Sequence, residues 1–112
     1  MLPFEIIGQA RLHDGSEFTL VRRGDEWVLR AGTSTLMSSR TSASEVNLAE
    51  QALRRCSGAR DVLVGGLGLG YTLRAVLDRV EHHTKVTVAE LVPELIEWHR
   101  TPFGAPRRFS AR

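Results

Sequence analysis

The stretch DVLVGGLGLGYTLRAVL, Asp61 to Leu77, decides the fold. A short apolar run stops at Gly65, Gly66, Gly68 and Gly70, four glycines within six residues, and a helical pattern follows at once. Continuous apolar runs of this length read as strands covered on both faces, and Leu73, Val76, Leu77 and Val80 recur at helical spacing. Downstream, KVTVAE (Lys85–Glu90) reads as a second strand of the same kind. PELIEWHR (Pro93–Arg100) reads as a helix with proline in its first turn. Strand, helix, strand, helix is the opening of a doubly wound α/β sheet with right-handed crossovers. Residues 59–101 are therefore expected to form the first half, β-α-β-α, of a Rossmann-like sheet.

Upstream the period is that of strands. FEIIGQARL and EFTLVRR flank Asp14-Gly15, EWVLRAG follows Gly24-Asp25, and TSTLM follows Gly32. These are tight-turn signals between alternating runs, so residues 1–40 read as an antiparallel β-meander that needs further packing to protect its edges. Residues 41–58 read as a connecting helix. Ser42 and Glu45 have the spacing of a capping box, and Val46, Ala49 and Leu53 share a face. Arg54 and Arg55 suit the negative end, and Gly58 can close it. The division between the two parts falls near Ser57–Arg60. The last segment, 102–112, contains two prolines and reads as irregular.

Totals narrow the function classes. The chain has 112 residues, 42% hydrophobic and 25% charged, with a net charge of +2, and gives no general case for nucleic acid or an anionic membrane. From Arg100 onward there are four arginines and no acid; the remaining eleven basic and thirteen acidic residues sum to −2. Such a tail reads as a solvated end. Cys56 is the only cysteine, so no intrachain disulfide forms. The N-terminus lacks the features of a signal peptide and no run reaches membrane-spanning length, so the cytoplasm is the expected setting.

The glycines acquire a chemical reading from a distant carboxylate. Gly66, Gly68 and Gly70 form a G-x-G-x-G turn, and Glu90 ends the next strand twenty residues past Gly70. Residues without Cβ let a ligand lie against the backbone, and a carboxylate so placed can accept hydrogen bonds from both hydroxyls of a ribose. A purely structural reading stands beside it, in which glycines permit tight strand-to-helix packing. The dinucleotide fingerprint needs Gly or Ala where this chain has Tyr71. The pattern instead suits an adenosine ligand carrying an amino-acid or amine tail.

VLVGGLGLGYTLRAVL with VTVAELVPELIEWHR resembles the cofactor-binding half of the spermidine synthase family, class I methyltransferase-like proteins that use decarboxylated S-adenosylmethionine. VRRGDEWVLRAGTSTLMSSRTSASEVNLAEQAL resembles that family's N-terminal β-domain and joining helix. The likeness covers roughly residues 4–103 and is nearest to bacterial spermidine synthase-like proteins of undefined activity. It implies a Rossmann-like methyltransferase sheet and a site at Gly66, Gly68, Gly70, Thr72 and Glu90 for S-adenosylmethionine or decarboxylated S-adenosylmethionine. The chain departs from the family at three places. Leu69 stands where the family loop, Gly-Gly-Gly-Asp-Gly-Gly-Thr, has Asp. Val92 replaces the Asp of Glu-Ile-Asp-Pro. The family's Tyr-His-Glu reads Ala43-Ser44-Glu45, where Glu45 is expected to cap the helix.

The resemblance also implies what to look for downstream: a carboxylate that deprotonates the attacking amine, and an acidic motif that grips adenine. Residues 1–112 offer no persuasive substitute, so no catalytic residue is assigned. The expectation is a fragment that retains part of a nucleoside pocket without catalysis alone. Two alternatives stay open: a non-enzymatic self-associating module, and an aminopropyl or methyl transferase completed by another chain. A two-stranded parallel sheet exposes apolar faces and edges, so a homodimer or higher oligomer is expected. His13, His82, His83 and His99 show no metal spacing. Trp27, Trp98 and Cys56 read as packing residues, and His82-His83 as the loop after a helix.

Overall fold

The computed structural model describes residues 2–100, so the irregular tail expected over 102–112 lies outside the described residues. The alternating N-terminal runs form β1 (Glu5–Arg11), β2 (Glu17–Arg23), β3 (Glu26–Ala31) and β4 (Ser34–Ser38). They make an antiparallel sheet in sequence order. Arg23 pairs with Glu26 across a two-residue loop in which Gly24 takes φ 62°. A left-handed first position is what a type II′ turn requires. In the β1–β2 loop, the Ser16 hydroxyl and then its backbone N–H donate to the Asp14 carboxylate. Together they hold its pKa below the ordinary value.

Register assigns the two faces of this sheet. Phe18 opposes Ala31, Leu20 opposes Leu29 and Arg22 opposes Trp27. This face carries the first core, with Leu20 fully buried beside Ala10, Trp27, Leu29, Leu69, Tyr71, Val92 and Leu95. On the other face, Val21 opposes Val28 between the pairs Arg23–Glu26 and Thr19–Arg30, and both valines are buried. Phe4 lies over this face, 4.2 Å from the Arg23 guanidinium carbon and 4.7 Å from that of Arg30. The arginines hold an aromatic cover by cation–π attraction while their heads stay in contact with water. Extra residues interrupt the ladders of both edge strands, between Ile6 and Gly8 in β1 and opposite Leu29/Arg30 in β4. Such bulges disfavour edge-to-edge pairing.

The remaining elements are α1 (Ala43–Arg55), β5 (Asp61–Gly65), α2 (Tyr71–Leu77), β6 (Lys85–Ala89) and α3 (Pro93–Arg100). The architecture is thus α/β: a four-stranded antiparallel sheet followed by a short parallel pair, β5–β6. α1 packs on α2, and the second core joins Ala49, Val64, Leu67, Leu73, Ala75 and Val76. Val46 and Leu53 pack against it, as the helical spacing of α1 requires.

Three expectations are corrected. The parallel strands are covered on one face only. Val62, Val64, Val86 and Val88 face the second core, whereas Leu63 is 69% exposed and Gly65, Thr87 and Ala89 on its side are exposed too. The apolar run could not distinguish these cases, because Leu63 is as apolar as its neighbours. The capping box does not form: Ser42 occupies the N-cap without a side-chain cap bond. Its φ −101° and ψ 5° lie outside the extended region from which a hydroxyl reaches the first-turn N–H groups. The Glu45 carboxylate accepts instead from the Ser44 hydroxyl at 3.1 Å. Cys56 is exposed rather than packed, because it sits beyond the last turn of α1, where its backbone N–H bonds Ala52. The two tryptophans do pack: Trp27 is in the first core and Trp98 lies against it. His82 and His83 occupy the turn after α2.

α3 crosses β1 at a point where only glycine fits. A Cβ on Gly8 would lie 2.5 Å from Cε2 of the Trp98 indole. Gly8→Ala is therefore expected to destabilise the fold by about 1–3 kcal/mol, and Trp98→Leu in the same chain should recover much of that loss. A double-mutant cycle by urea unfolding measures the coupling.

Candidate functional site

The glycine turn is anchored in both cores at once. Gly66-Leu67-Gly68-Leu69-Gly70 alternates small and large residues. Leu67 is 5% exposed in the second core, and Leu69 is fully buried in the first. To send consecutive large side chains to different cores, the backbone must turn sharply between them. Gly66, Gly68 and Gly70 accordingly take φ 101°, 52° and 85°, values that L-residues with a Cβ rarely adopt. The three glycines nevertheless differ in surroundings. The Cβ position of Gly66 faces open space. The Cβ position of Gly68 is filled by the Met37 sulfur of β4. Gly70 is buried and is the N-cap of α2.

Glu90 closes this turn from the end of β6. The Gly66 N–H donates to the Ala89 carbonyl at 2.8 Å, which extends the β5–β6 ladder by one step. One Glu90 oxygen, Oε1, then accepts the Leu67 N–H at 2.6 Å, and Oε2 accepts the Val92 N–H at 3.0 Å. Glu90 is half-buried. A carboxylate offers about four lone-pair sites, and these two donors use one on each oxygen. The group therefore fixes the turn and the start of α3 while keeping acceptor capacity for further donors.

Of the five sequence-derived site residues, Gly66, Gly68, Gly70 and Glu90 come together at this elbow. Thr72 belongs to another side of the turn: its hydroxyl is directed to the Glu45 carbonyl of α1, at 3.5 Å. Leu69, which stands where the resembled family has an acid, is spent on the first core, and no ligand can meet it there without opening that core. Val92, in place of the second family acid, is 3% exposed and joins the same core. Among the described residues no group of three His, Cys, Asp or Glu side chains is placed to hold a metal. No helix among them is long and apolar enough to cross a membrane.

His99 was not selected by sequence. It is 5% exposed, and its Nε2 lies 2.8 Å from the Gly68 carbonyl oxygen. The available signal was its position on the inward stripe of α3. Val92, Leu95 and His99 fall at spacings of three and four, which puts one polar ring on an otherwise apolar face.

Two open grooves lie elsewhere on the surface, and neither is lined by Gly66, Gly68, Gly70 or Glu90. One, of about 500 Å³, runs between the β1–β2 turn and the start of α3 and is lined by Arg11, His13, Leu91, Pro93 and Glu94 among others. The other, of about 400 Å³, is lined by Asp25, Ser39, Arg40 and Tyr71.

Replacing Glu90 by Gln exchanges one acceptor oxygen for an NH₂ facing a backbone N–H. Hydrogen bonds to charged groups contribute about 1.5–3 kcal/mol, so Glu90→Gln should lower stability by about that amount. Amide exchange at Leu67 and Val92 should quicken beyond that of neighbouring amides, as hydrogen exchange followed by mass spectrometry or NMR would report.

Comparison with protein-family models, with curated proteins and with solved structures finds no match. The likeness to the spermidine synthase family therefore rests on the residues quoted above.

Proposed function

We propose that this chain is a spermidine synthase-like, Rossmann-like unit that binds an adenosyl compound at the Gly66–Glu90 elbow, and that its role is binding rather than group transfer by this chain alone. The observation that carries the reading is the Glu90 carboxylate. It sits at the C-terminal end of a parallel strand, 2.6 Å from a backbone N–H of the glycine turn, with acceptor sites left for the two hydroxyls of a ribose. Gly66 adds a stretch of bare backbone that faces open space. S-Adenosylmethionine, decarboxylated S-adenosylmethionine and methylthioadenosine share the nucleoside that this edge would hold. Leu69 stands where the resemblance implies an acid that helps hold the ligand's amine end, and it is buried in the first core. The reading therefore favours contact with the nucleoside over contact with the tail.

Calorimetry with these three compounds tests it. Saturable binding of at least one is expected, weakened about tenfold or more by Glu90→Ala, which removes charge-assisted bonds. Gly66→Val should weaken it too, by forcing a residue with a Cβ to φ 101° and by crowding the open space beside the turn. Absence of binding to the wild-type chain at millimolar concentrations of all three would end the reading.

A second reading, self-association, is favoured by the uncovered face of β5–β6. Asp61, Leu63 and Gly65 oppose Lys85, Thr87 and Ala89 in register, and all six are exposed. A second copy stacked with its strands parallel would set Asp61 against Lys85 of the partner subunit, and the reverse, around Leu63. Light scattering at micromolar concentration should then give a dimer mass that falls to the monomer's in Leu63→Asp. A monodisperse wild-type monomer would count against it.

A further inference from the structure

The buried imidazole of His99 is unexplained by packing alone. A ring nitrogen in a core needs a partner, and Nε2 finds the Gly68 carbonyl at 2.8 Å. A carbonyl oxygen only accepts, so Nε2 carries the hydrogen. That bond also fixes the N–H of the same peptide unit, which belongs to Leu69. In a trans peptide the C=O and the following N–H point in opposite directions. Holding the Gly68 carbonyl toward α3 therefore aims the Leu69 N–H away from α3. Gly68 has no Cβ and sits at φ 52°, where rotation of the Gly68–Leu69 peptide meets little steric resistance. Met37 occupies the space beside its Cα, but it cannot fix which way a carbonyl points. The hydrogen bond can.

We propose that His99 is a positioning residue for the glycine turn. It locks the Gly68–Leu69 peptide in one orientation, so that the edge between Gly66 and Glu90 is preformed for an adenosyl ligand. This rests on the binding reading above, and it assigns the selection of that edge to α3. Because α3 is also seated on β1 by Trp98 against Gly8, the lock connects the meander to the turn. A preorganised loop binds more tightly because its ordering does not have to be supplied on association.

The test uses the full 112-residue chain with two substitutions. His99→Leu keeps apolar volume and removes the donor. His99→Gln removes the ring but keeps an N–H donor at similar reach. Amide exchange is followed at Leu69 and Gly70, and binding of methylthioadenosine by calorimetry. A single hydrogen bond accounts for about a tenfold effect. His99→Leu is thus expected to speed exchange at Leu69 and Gly70 about tenfold over the rest of α3 and the sheet, and to weaken binding by a similar factor. His99→Gln should return both to within about threefold of wild type. Equal effects of Leu and Gln on exchange, or faster exchange spread evenly over the whole chain, would overturn the proposal. So would wild-type binding in His99→Leu. If the wild-type chain binds no adenosyl compound, the functional reading fails separately. The exchange pattern then decides the lock alone: a local loss in Leu that Gln repairs sustains it, and unchanged exchange in Leu removes it.

Discussion

Two leucines of one short turn, separated by a single glycine, have to reach two different cores, and the rest of the molecule is arranged around that requirement. Leu67 fills the layer beneath α1 and α2, and Leu69 fills the layer between the meander and α3. A chain with side chains at positions 66, 68 and 70 could not reverse direction twice in so few residues at acceptable steric cost. The glycines are therefore explained first by packing. Any ligand chemistry is added to a backbone already bent for another reason.

The polar groups around the turn support the same bend. Glu90 accepts from the turn and from the start of α3, His99 donates to Gly68, and Ala89 accepts from Gly66. Each contact ties the turn to a different point of β6 or α3. An unmade bond at a buried peptide costs more than a made one contributes, so these contacts act chiefly by excluding alternatives. The carboxylate differs from the others because it remains half-buried and retains acceptor sites, which is why the functional reading centres on it.

Much of the local structure was legible from residue spacing. The β2 run EFTLVRR and the α3 run PELIEWHR match the observed elements residue for residue, because each is bounded by a turn residue or proline that stops the pattern. Helix α2 ends at Leu77, short of the Val80 to which the apolar pattern extends. Val80 still packs against the second core, so the pattern recorded burial rather than helical backbone. The expected cap at Ser42 failed for a related reason. The Ser-x-x-Glu spacing supplies the right atoms, but the backbone angles at Ser42 are fixed by how the chain leaves β4, four residues earlier.

By itself the sequence determined the order and kind of the elements, the glycine turn and the carboxylate that belongs beside it, since these follow from chain stereochemistry and short-range periodicity. Only the tertiary structure decided that the two leucines serve separate cores, that Thr72 turns toward α1 while His99 turns toward Gly68, and that one face of β5–β6 stays open. Those outcomes depend on which surfaces meet across the chain, as Leu69 meets Trp27 and Leu29 in one core. An apolar or polar letter specifies that a side chain seeks a partner, and the geometry of packing selects which one.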